Sequence, residues 1–361
     1  MKIGIDGSRA FLKRRTGIEE YSYQVIKNLR DKLDQHSIVL YLRPKQAVDF
    51  SLPENWRIKK IKFPRLWTQL GLSLQLFLNP IDVLFVPAHT VPFFHPRKTV
   101  VTIHGLEYEI MPEAYSPWER IYMRFSIKNS CRWAEKIISV SKNTKQDLIG
   151  LYDIPQEKIV IIHEGYEEKI DRNKIKIKEE FEKLKPYLLF IGRLEKRKNI
   201  EGIISAFELF KQKNKTNYKL VLGGRFGYGE YEIKKRLKKS QYKKDIVLLG
   251  FVSEEEKWQL FKQASIFLFP TFYEGFGIPI LEAQSFGLPV ITSNCSSFPE
   301  VSEGSAFLVD PNEVEMIGNA IEMLVGNKDL RNDIIKKGNE NIKRFSWEKC
   351  SRQIAKILTK E

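Results

Sequence analysis

Cysteine is scarce in this sequence, and long hydrophobic runs are missing. The three cysteines (Cys131, Cys295 and Cys350) are odd in number and widely spaced. That pattern fits neither a disulfide framework nor a zinc site, so it predicts a reducing compartment. No uninterrupted apolar run reaches about 18 residues, so no membrane-spanning helix is predicted. The first residues, Met1–Asp6, lack the hydrophobic region of a signal peptide. We therefore expect a cytoplasmic protein.

Negative charge is also in short supply. The chain has 45 Asp and Glu against 60 Lys and Arg, which gives a net charge of +15. Such an excess is typical of proteins that bind nucleic acid, an anionic membrane surface or a phosphorylated substrate. The lysines are dispersed, however, and no RNA-recognition, KH or helix-turn-helix signature is present, so we expect no nucleic-acid partner.

The alternation of short apolar runs with amphipathic stretches predicts the fold class. The length of 361 residues and the hydrophobic content of 42% suit two folded domains. Nearly all-apolar strands between amphipathic helices predict parallel α/β sheets covered on both faces. The predicted strands of the first half are Lys2–Asp6, Ser37–Leu42, Val83–Val86, Thr99–Ile103, Lys136–Val140 and Ile159–Ile162. Those of the second half are Tyr187–Ile191, Lys219–Leu222, Ile246–Leu249, Ile266–Phe269, Val290–Thr292 and Ala306–Val309.

A segment dominated by Lys and Glu, from Glu167 to Lys185, separates the two halves. We predict a Rossmann-like domain over 1–170, a linker over 171–185 and a second Rossmann-like domain over 186–345. A C-terminal helix follows over 346–361, and its return to the first domain is one option. Ligands of parallel sheets bind at the carboxyl ends of the strands, so both domains are expected to face one cleft.

The stretch from Phe269 to Ala283 reads as a strand end, a glycine-containing loop and a helix that begins near Ile278. Gly275 and Gly277 allow the backbone to approach a ligand closely. The helix N-terminus suits an anion. The carboxylates of Glu274 and Glu282 can accept hydrogen bonds from sugar or ribose hydroxyls. The pattern therefore indicates a ligand with both phosphate and hydroxyl groups.

A second candidate element, Gly192–Asn199, follows the first strand of the second half. Arg193 and Lys198 flank this loop. Arg offers a planar fork to phosphate oxygens, and Lys offers a compact charge. A solvated basic turn in a lysine-rich protein is the alternative interpretation of this stretch alone.

Taken together, Arg193, Lys198 and the two glutamates resemble the retaining glycosyltransferases of family four, which have the GT-B fold. Glu274 and Glu282 match the family's Glu-x7-Glu motif. Further matches are Leu249–Ser253, Gly287–Ser293, Ser296–Val301 and Arg344–Glu348. The resemblance covers nearly the whole chain and is strongest from Tyr187 onward.

The resemblance implies a role for each matching residue. Arg193 and Lys198 would neutralise the diphosphate of a nucleotide-sugar, and Glu274 would hold hydroxyls of the transferred sugar. Glu282 would hold the ribose. Other positions implied in donor binding are Gly17, Phe251, Val252, Gly275, Phe276, Gly277, Ile278 and Leu281. The sequence has no Asp-x-Asp motif, so no metal and no further cofactor is expected.

His104 is the catalytic candidate of the first half. It ends a buried strand, where open α/β sheets place functional groups, and in related enzymes a His here contacts the transferred sugar. Many relatives have His-Asp, whereas this chain has His104-Gly105. The substitution removes a carboxylate that could orient the acceptor or hold the imidazole. His89 ends another strand and is interpreted as structural or as part of an acceptor pocket.

Donor and acceptor are less well specified. His163–Gly165 and Ser296–Val301 are similar to a mannosyltransferase-like branch, so GDP-mannose is the first expected donor and a UDP-sugar the second. The expected acceptor is a glycan or a lipid-linked glycan in surface polysaccharide synthesis. Alternatives are a soluble disaccharide synthase or phosphorylase, a basic nucleic-acid-binding protein and a non-catalytic GT-B protein. The sequence does not determine the oligomeric state.

Two helical stretches of the first half combine apolar with basic or aromatic residues. They are Leu66–Leu78 and Pro117–Cys131. Packing against the sheet is the interpretation we favour for both. The alternative is peripheral contact with the inner face of the cell membrane, since anionic lipids attract positive charge.

Overall fold

The computed structural model describes residues 1–166 and 174–360. Within them the chain forms two compact units, one made of Met1–Gly165 with Phe345–Glu361 and the other of Tyr166–Arg344. Residues 167–173, which include the first three residues of the predicted linker 171–185, lie outside the described residues. The remainder of that segment includes a short helix, Glu179–Glu182. Each unit is an α/β body with its own parallel sheet, as the sequence predicts.

The first unit contains a seven-stranded parallel sheet in the order β3-β2-β1-β4-β5-β6-β7. Its strands are β1 (Lys2–Asp6), β2 (Ser37–Leu42), β3 (Trp56–Lys60), β4 (Val83–Val86), β5 (Lys98–Ile103), β6 (Lys136–Ser139) and β7 (Ile159–Ile161). Its helices are α1 (Gly17–Leu29), α2 (Ser73–Leu78), α3 (Glu107–Ile110), α4 (Pro117–Trp133), α5 (Lys142–Tyr152) and, at the C-terminus, Trp347–Thr359. A wider π-type turn, Trp67–Leu72, leads directly into α2.

The second unit contains a six-stranded parallel sheet in the order β10-β9-β8-β11-β12-β13. Its strands are β8 (Tyr187–Ile191), β9 (Lys219–Gly223), β10 (Ile246–Gly250), β11 (Ile266–Phe269), β12 (Val290–Ser293) and β13 (Phe307–Val309). Its helices are α6 (Glu179–Glu182), α7 (Ile200–Asn214), α8 (Glu230–Lys239), α9 (Glu254–Gln263), α10 (Ile278–Ser285), α11 (Phe298–Ser302), α12 (Val314–Gly326) and α13 (Lys328–Asn341). The C-terminal helix of the first unit is α14.

In each sheet there is one point at which successive strands stop being added on one side and are added on the other. In the first sheet this occurs between β1 and β4, and in the second between β8 and β11. Crossover connections leave these strands on opposite sides, so a crevice opens at their carboxyl ends. The loops that follow these strands are therefore where a ligand of each unit is expected.

Helix starts follow local sequence rules. Ser253 accepts a hydrogen bond from the backbone N–H of Glu256 at the start of α9, and Ser141 accepts one from Thr144 at the start of α5. Both caps are predicted from the sequence. Ser116 caps α4 in the same way. No helix within the described ranges is long and apolar enough to span a bilayer.

Candidate active site

A buried ion pair lies at the switch point of the second sheet. Lys198 follows β8 and Glu274 follows β11, and the Lys198 ammonium contacts Oε1 of the Glu274 carboxylate. Lys198 is buried, being only 8% exposed. The two residues are 76 positions apart in sequence, and the topology of the sheet brings them together. The structure therefore joins two of the predicted catalytic residues.

Arg197, which the sequence analysis did not single out, holds the same carboxylate. Its Nη1 donates to Glu274 Oε1 at 3.0 Å and to the carbonyl oxygen of Tyr273 at 2.7 Å. Its Nη2 donates to Glu195 Oε1 at 2.9 Å. Its own backbone carbonyl accepts from the N–H of Phe272 at 2.9 Å. Arg197 thus fastens the loop after β8 to the loop after β11 through side chain and backbone together.

The charges of this cluster perturb one another. Burial raises the pKa of Glu274, but the positive charges of Arg197 and Lys198 outweigh it, so the net pKa lies below the ordinary value. Burial lowers the pKa of Lys198, and Arg197 lowers it further against the opposing charge of Glu274. Glu274 is consequently held as a carboxylate, with one oxygen bound to two cations. Within the described residues no partner is found for its second oxygen, Oε2.

Arg193 differs from these residues because its side chain is exposed. Across the described parts of the chain, it makes no ion pair. The loop that carries it is fixed by backbone bonds: Leu194 N donates to Arg225 O at 2.8 Å, and Gly227 N donates to Leu194 O at 2.9 Å. A guanidinium on a fixed loop beside the switch point can bind an anion without first breaking an internal ion pair.

Two serines hydrogen-bond to the backbone of the glycine loop before α10. Ser296 Oγ donates to the carbonyl of Glu274 at 2.8 Å, and Ser297 Oγ donates to that of Phe276 at 2.6 Å. Gly277 has φ of +114°, a backbone conformation that side-chain-bearing residues rarely adopt, and α10 begins at the next residue, Ile278. Gly275 lies within this loop and is itself buried.

The side chains of Phe276 and Leu281 are buried. Any contact of these two residues with a ligand therefore goes through the backbone.

Glu282, the predicted ribose ligand, has a partner that sequence analysis missed. Nζ of Lys257 on α9 lies 2.7 Å from Glu282 Oε1. Burial lowers the pKa of Lys257, but the carboxylates of Glu282 and Glu254 outweigh it and leave the pKa above its ordinary value. The pair fixes one oxygen of Glu282 on the first turns of α10.

The predicted base-binding residues follow β10. Phe251 is 55% exposed, and the guanidinium carbon of Arg225 lies 5.1 Å from the centre of its ring. Val252 packs over Gly223, where a side chain would collide with it. The exposed ring of Phe251 presents a flat apolar surface at the carboxyl ends of β9 and β10.

In the first unit, His104 is buried and fully bonded. Its Nδ1 lies 3.0 Å from Oε1 of Glu164, and its Nε2 lies 2.9 Å from the carbonyl oxygen of Pro87. The carbonyl oxygen of Pro87 can only accept, so the hydrogen of that contact belongs to Nε2. His89 Nε2 accepts the backbone N–H of His104 at 3.1 Å. Burial, aided by the charges of His104 and Arg9, holds the pKa of His89 well below its ordinary value.

Although Gly105 has no side chain, two carboxylates lie close to His104 or to the position of a residue-105 side chain. Glu164 holds the imidazole directly. A Cβ built on Gly105 would lie 3.3 Å from the carboxyl carbon of Glu107, so that carboxyl group borders the space of a residue-105 side chain. Gly17, at the start of α1, has open space where a side chain would stand. The signal for Glu164 was the His163–Gly165 segment, which the sequence analysis used only for the donor.

No group of three or more His, Cys, Asp or Glu side chains within residues 1–166 and 174–360 is arranged to hold a metal ion.

Comparison with known proteins identifies the family. The model for "Glycosyltransferase Family 4" matches residues 15–169, and that for "Glycosyl transferases group 1" matches residues 171–341. O-antigen chain mannosyltransferase B of Escherichia coli is 32% identical over 274 residues, covering 73% of this chain and 72% of that protein. The chain belongs to the family-four glycosyltransferases. O-antigen chain mannosyltransferase RfbU of Salmonella typhimurium is 25% identical to this glycosyltransferase over 361 residues, covering 96% of each.

Solved structures agree with the fold. Anabaena HepE in complex with UDP-glucose matches 99% of this glycosyltransferase and 99% of that chain, with a TM-score of 0.73 and 18% sequence identity. The GT-B fold predicted from the sequence is thus confirmed.

Proposed function

We propose that this glycosyltransferase moves mannose from GDP-mannose to a glycan or lipid-linked glycan acceptor in surface polysaccharide synthesis, with retention of anomeric configuration. The observation that carries the proposal is the Lys198–Glu274 pair at the switch point of the second sheet, with the exposed Arg193 on the same loop as Lys198. The mannosyltransferases among its relatives favour mannose as the sugar. A UDP-sugar is the second candidate donor.

The donor diphosphate would lie against Arg193, Lys198 and the N-terminus of α10. These groups place positive charge where the leaving group develops negative charge, and the fixed loops require little rearrangement to do so. Lys198 carries three donors, so it can contact a phosphate oxygen while still bonded to Glu274. Arg197 stays bonded to Glu274 throughout and keeps that carboxylate in place.

The sugar would be held by Oε2 of Glu274, which can accept a hydroxyl hydrogen bond. Glu282 would accept a hydrogen bond from the ribose, and the base would lie beside Phe251. In the transfer, the bond from the sugar C1 to the phosphate oxygen breaks and a bond from C1 to the acceptor oxygen forms on the same face. The acceptor proton passes to the departing phosphate oxygen. The transition state has oxocarbenium character.

A donor panel tests the proposal. GDP-mannose, UDP-glucose, UDP-N-acetylglucosamine and an ADP-sugar are compared by thermal shift and by donor hydrolysis, with EDTA present. A nucleotide at about 100 times its dissociation constant stabilises the protein by about 2.7 kcal/mol. A shift and turnover with GDP-mannose alone support the proposal, and NMR of the product anomer checks retention. A response only to a UDP-sugar contradicts GDP-mannose and identifies the UDP-sugar as the donor. No response to any nucleotide-sugar contradicts the assignment of the site.

Variants of the ion pair test the site itself. Lys198→Met and Glu274→Gln are each expected to lower kcat/KM on the order of 10²-fold, because they remove contacts made in the transition state. Lys234→Met and Glu230→Gln provide a matched control, since these residues form an exposed ion pair on α8 of the same unit. Near-unchanged turnover in both site variants would remove the pair from the mechanism.

A further inference from the structure

The loop that follows β9 lies between the candidate diphosphate and base positions of the second unit. Strands β8, β9 and β10 are neighbours in the sheet, and adjacent strands lie about 4.8 Å apart. The loop after β8 carries Arg193, and the loop after β10 carries Phe251. The loop between them carries Arg225. Arg225 is thus placed beside a nucleotide that joins these two positions.

The backbone of the loop after β9 is fixed on both sides. The N–H of Gly224 donates to the carbonyl oxygen of Gly250 at 2.6 Å, and the N–H of Leu194 donates to that of Arg225 at 2.8 Å. A Cβ on Gly224 would collide with the carbonyl oxygen of Gly192, so the loops after β8 and β9 approach each other very closely. The backbone that carries the Arg225 side chain is therefore held between two neighbouring loops.

The guanidinium of Arg225 is available to a ligand. Arg225 is exposed, and across residues 1–166 and 174–360 its side chain makes no hydrogen bond or ion pair. Its guanidinium carbon lies 5.1 Å from the centre of the Phe251 ring, which is itself 55% exposed. This contact restricts the rotamers of the side chain, so less conformational freedom is lost when the planar fork binds an acceptor.

The residues of the base position offer little with which to distinguish one base from another. The segment Gly250–Ser253 has one polar side chain, that of Ser253, and its hydroxyl caps α9. Val252 packs over Gly223 and is apolar. A side chain that reads the base is therefore expected from a neighbouring loop, and Arg225 already contacts the exposed ring of this segment.

We propose that Arg225 makes the donor site selective for guanine by donating to O6 and N7 of the base. The inference rests on the proposed function, which places the base beside Phe251. Guanine presents two adjacent acceptors that match the fork of an arginine. Adenine has an amino donor in place of O6, and uracil offers the single acceptor O4 on that edge. The same guanidinium thus favours GDP over ADP and UDP.

The ratio of nucleotide affinities separates this role from simple charge attraction. A contact of Arg225 with the diphosphate would strengthen the binding of GDP, ADP and UDP equally, because the three share that group. A contact with O6 and N7 strengthens the binding of GDP alone. Binding of the free nucleotides also requires no sugar and no acceptor, so the measurement is independent of sugar transfer.

Calorimetry of the full chain with GDP, ADP and UDP, in the presence of EDTA, tests the proposal. We expect the wild type to bind GDP at least about tenfold more tightly than ADP or UDP. Arg225→Met should weaken the binding of GDP about tenfold to 100-fold, as for a lost bidentate contact with the base. It should change the affinity for UDP less than about threefold, because salt screens an exposed charge.

A second variant and a control sharpen the test. Glutamine pairs with N6 and N7 of adenine, so Arg225→Gln should bind ADP at least as tightly as GDP. Neither lost folding nor lost charge produces such a reversal. Lys234→Met is the control, because Lys234 also lies over an aromatic ring of this unit, that of Phe226, at 4.9 Å. It should leave all three affinities unchanged.

The possible outcomes distinguish this inference from the proposed function. Equal weakening of all three nucleotides in Arg225→Met, or a preference for GDP over ADP that survives in Arg225→Gln, overturns the inference and leaves GDP-mannose as the donor. A wild type that prefers UDP overturns both. A preference for GDP that depends on Arg225, without turnover of GDP-mannose, supports the inference and overturns the proposed transfer.

Discussion

At the scale of single residues, the second unit is organised by charges that alternate in sign. Three successive ion pairs link four side chains in which acid and base alternate: Glu195, Arg197, Glu274 and Lys198. A buried charge is costly unless it is paired, and here every member has a partner. The arrangement lets Lys198 contact a phosphate with a further N–H while both it and Arg197 compensate Glu274.

Arg197 is therefore expected to position Glu274 rather than to bind the donor phosphates. Arg197→Lys keeps the charge but replaces the two nitrogens that reach Tyr273 O, Glu274 and Glu195 by a single one. We expect kcat to fall roughly tenfold to 100-fold, as for a lost bidentate contact, with nucleoside diphosphate affinity almost unchanged. Steady-state kinetics and calorimetry with the nucleotide check this.

Arg236→Lys is the control, because Arg236 also pairs with a carboxylate, Glu208, in the same unit. Equal losses of nucleotide affinity and turnover in Arg197→Lys would mean that the residue supports folding only.

His89 predicts a pH dependence of stability. Its folded-state pKa is held well below the ordinary value by burial first and then by the charges of His104 and Arg9. The unfolded chain therefore takes up the proton first as pH falls through about 6.5, and stability is lost on acidification. His89→Gln retains an acceptor for His104 N without titrating. Between pH 7.5 and 5.5 the wild type should lose about 1.4 kcal/mol more than this variant.

Urea unfolding at both pH values measures that difference. Parallel losses in the two proteins would mean that His89 is protonated in the folded state as well.

Residue types and spacing led to Arg193, Lys198, Glu274 and Glu282, but not to the residues that hold them. Arg197 is one of 60 cations in the chain, and only its burial distinguishes it from a solvated one. Lys257 and Glu164 likewise meet their partners through the fold, at sequence separations of 25 and 60. Pairing across such distances leaves no local pattern to read.

At the scale of elements, β3 is the strand that sequence analysis missed. It pairs in parallel with β2 at the edge of the first sheet, and after Trp56 its remaining residues are exposed. The other strands read as apolar runs, and most of them are buried on both faces; β10, at the edge of the second sheet, is partly exposed. Strand β3, which consists of Arg, Ile and Lys after Trp56, does not read as an apolar run. The charges on it protect an open sheet edge from pairing with another chain.

Two glycines of neighbouring elements should respond oppositely to the same substitution. A Cβ on Gly165, just after β7, would stand 2.2 Å from the backbone nitrogen of Trp347 at the start of α14. Gly165→Ala should therefore destabilise the protein by about 1–3 kcal/mol through overpacking. Gly150 lies in α5 with open space around it, so Gly150→Ala should stabilise by about 0.5–1 kcal/mol.

Chemical denaturation of the two variants checks the opposite signs. A neutral Gly165→Ala would mean that α14 can shift away from β7 without loss.

At the scale of the whole molecule, the first unit is discontinuous in sequence. Its C-terminal helix α14 returns after the entire second unit, 166–344. Trp347 packs edge-on against Tyr21 of α1 at 5.9 Å, and Tyr21 in turn lies 4.5 Å from His104. Cys350, Ile354 and Leu358 of α14 are all buried. The alternation of strands and helices predicts two Rossmann-like halves. The packing of α14 on the first unit depends instead on these tertiary contacts, which composition does not encode.

Removing α14 should therefore unfold one unit selectively. A chain that ends at Arg344 would expose the buried ring of Tyr21 and the apolar face of α1, at a cost of about 1.5–3 kcal/mol for each large side chain that loses its cover. Hydrogen exchange should then show lost protection in β1, α1 and β7, whereas β8, β9 and β11 keep theirs. Because the candidate donor residues other than Gly17 lie on loops and on helix α10 of the second unit, nucleotide-dependent protection of the loop 193–199 should survive. Loss of protection in both sheets together would instead mean that the two units fold as one cooperative body.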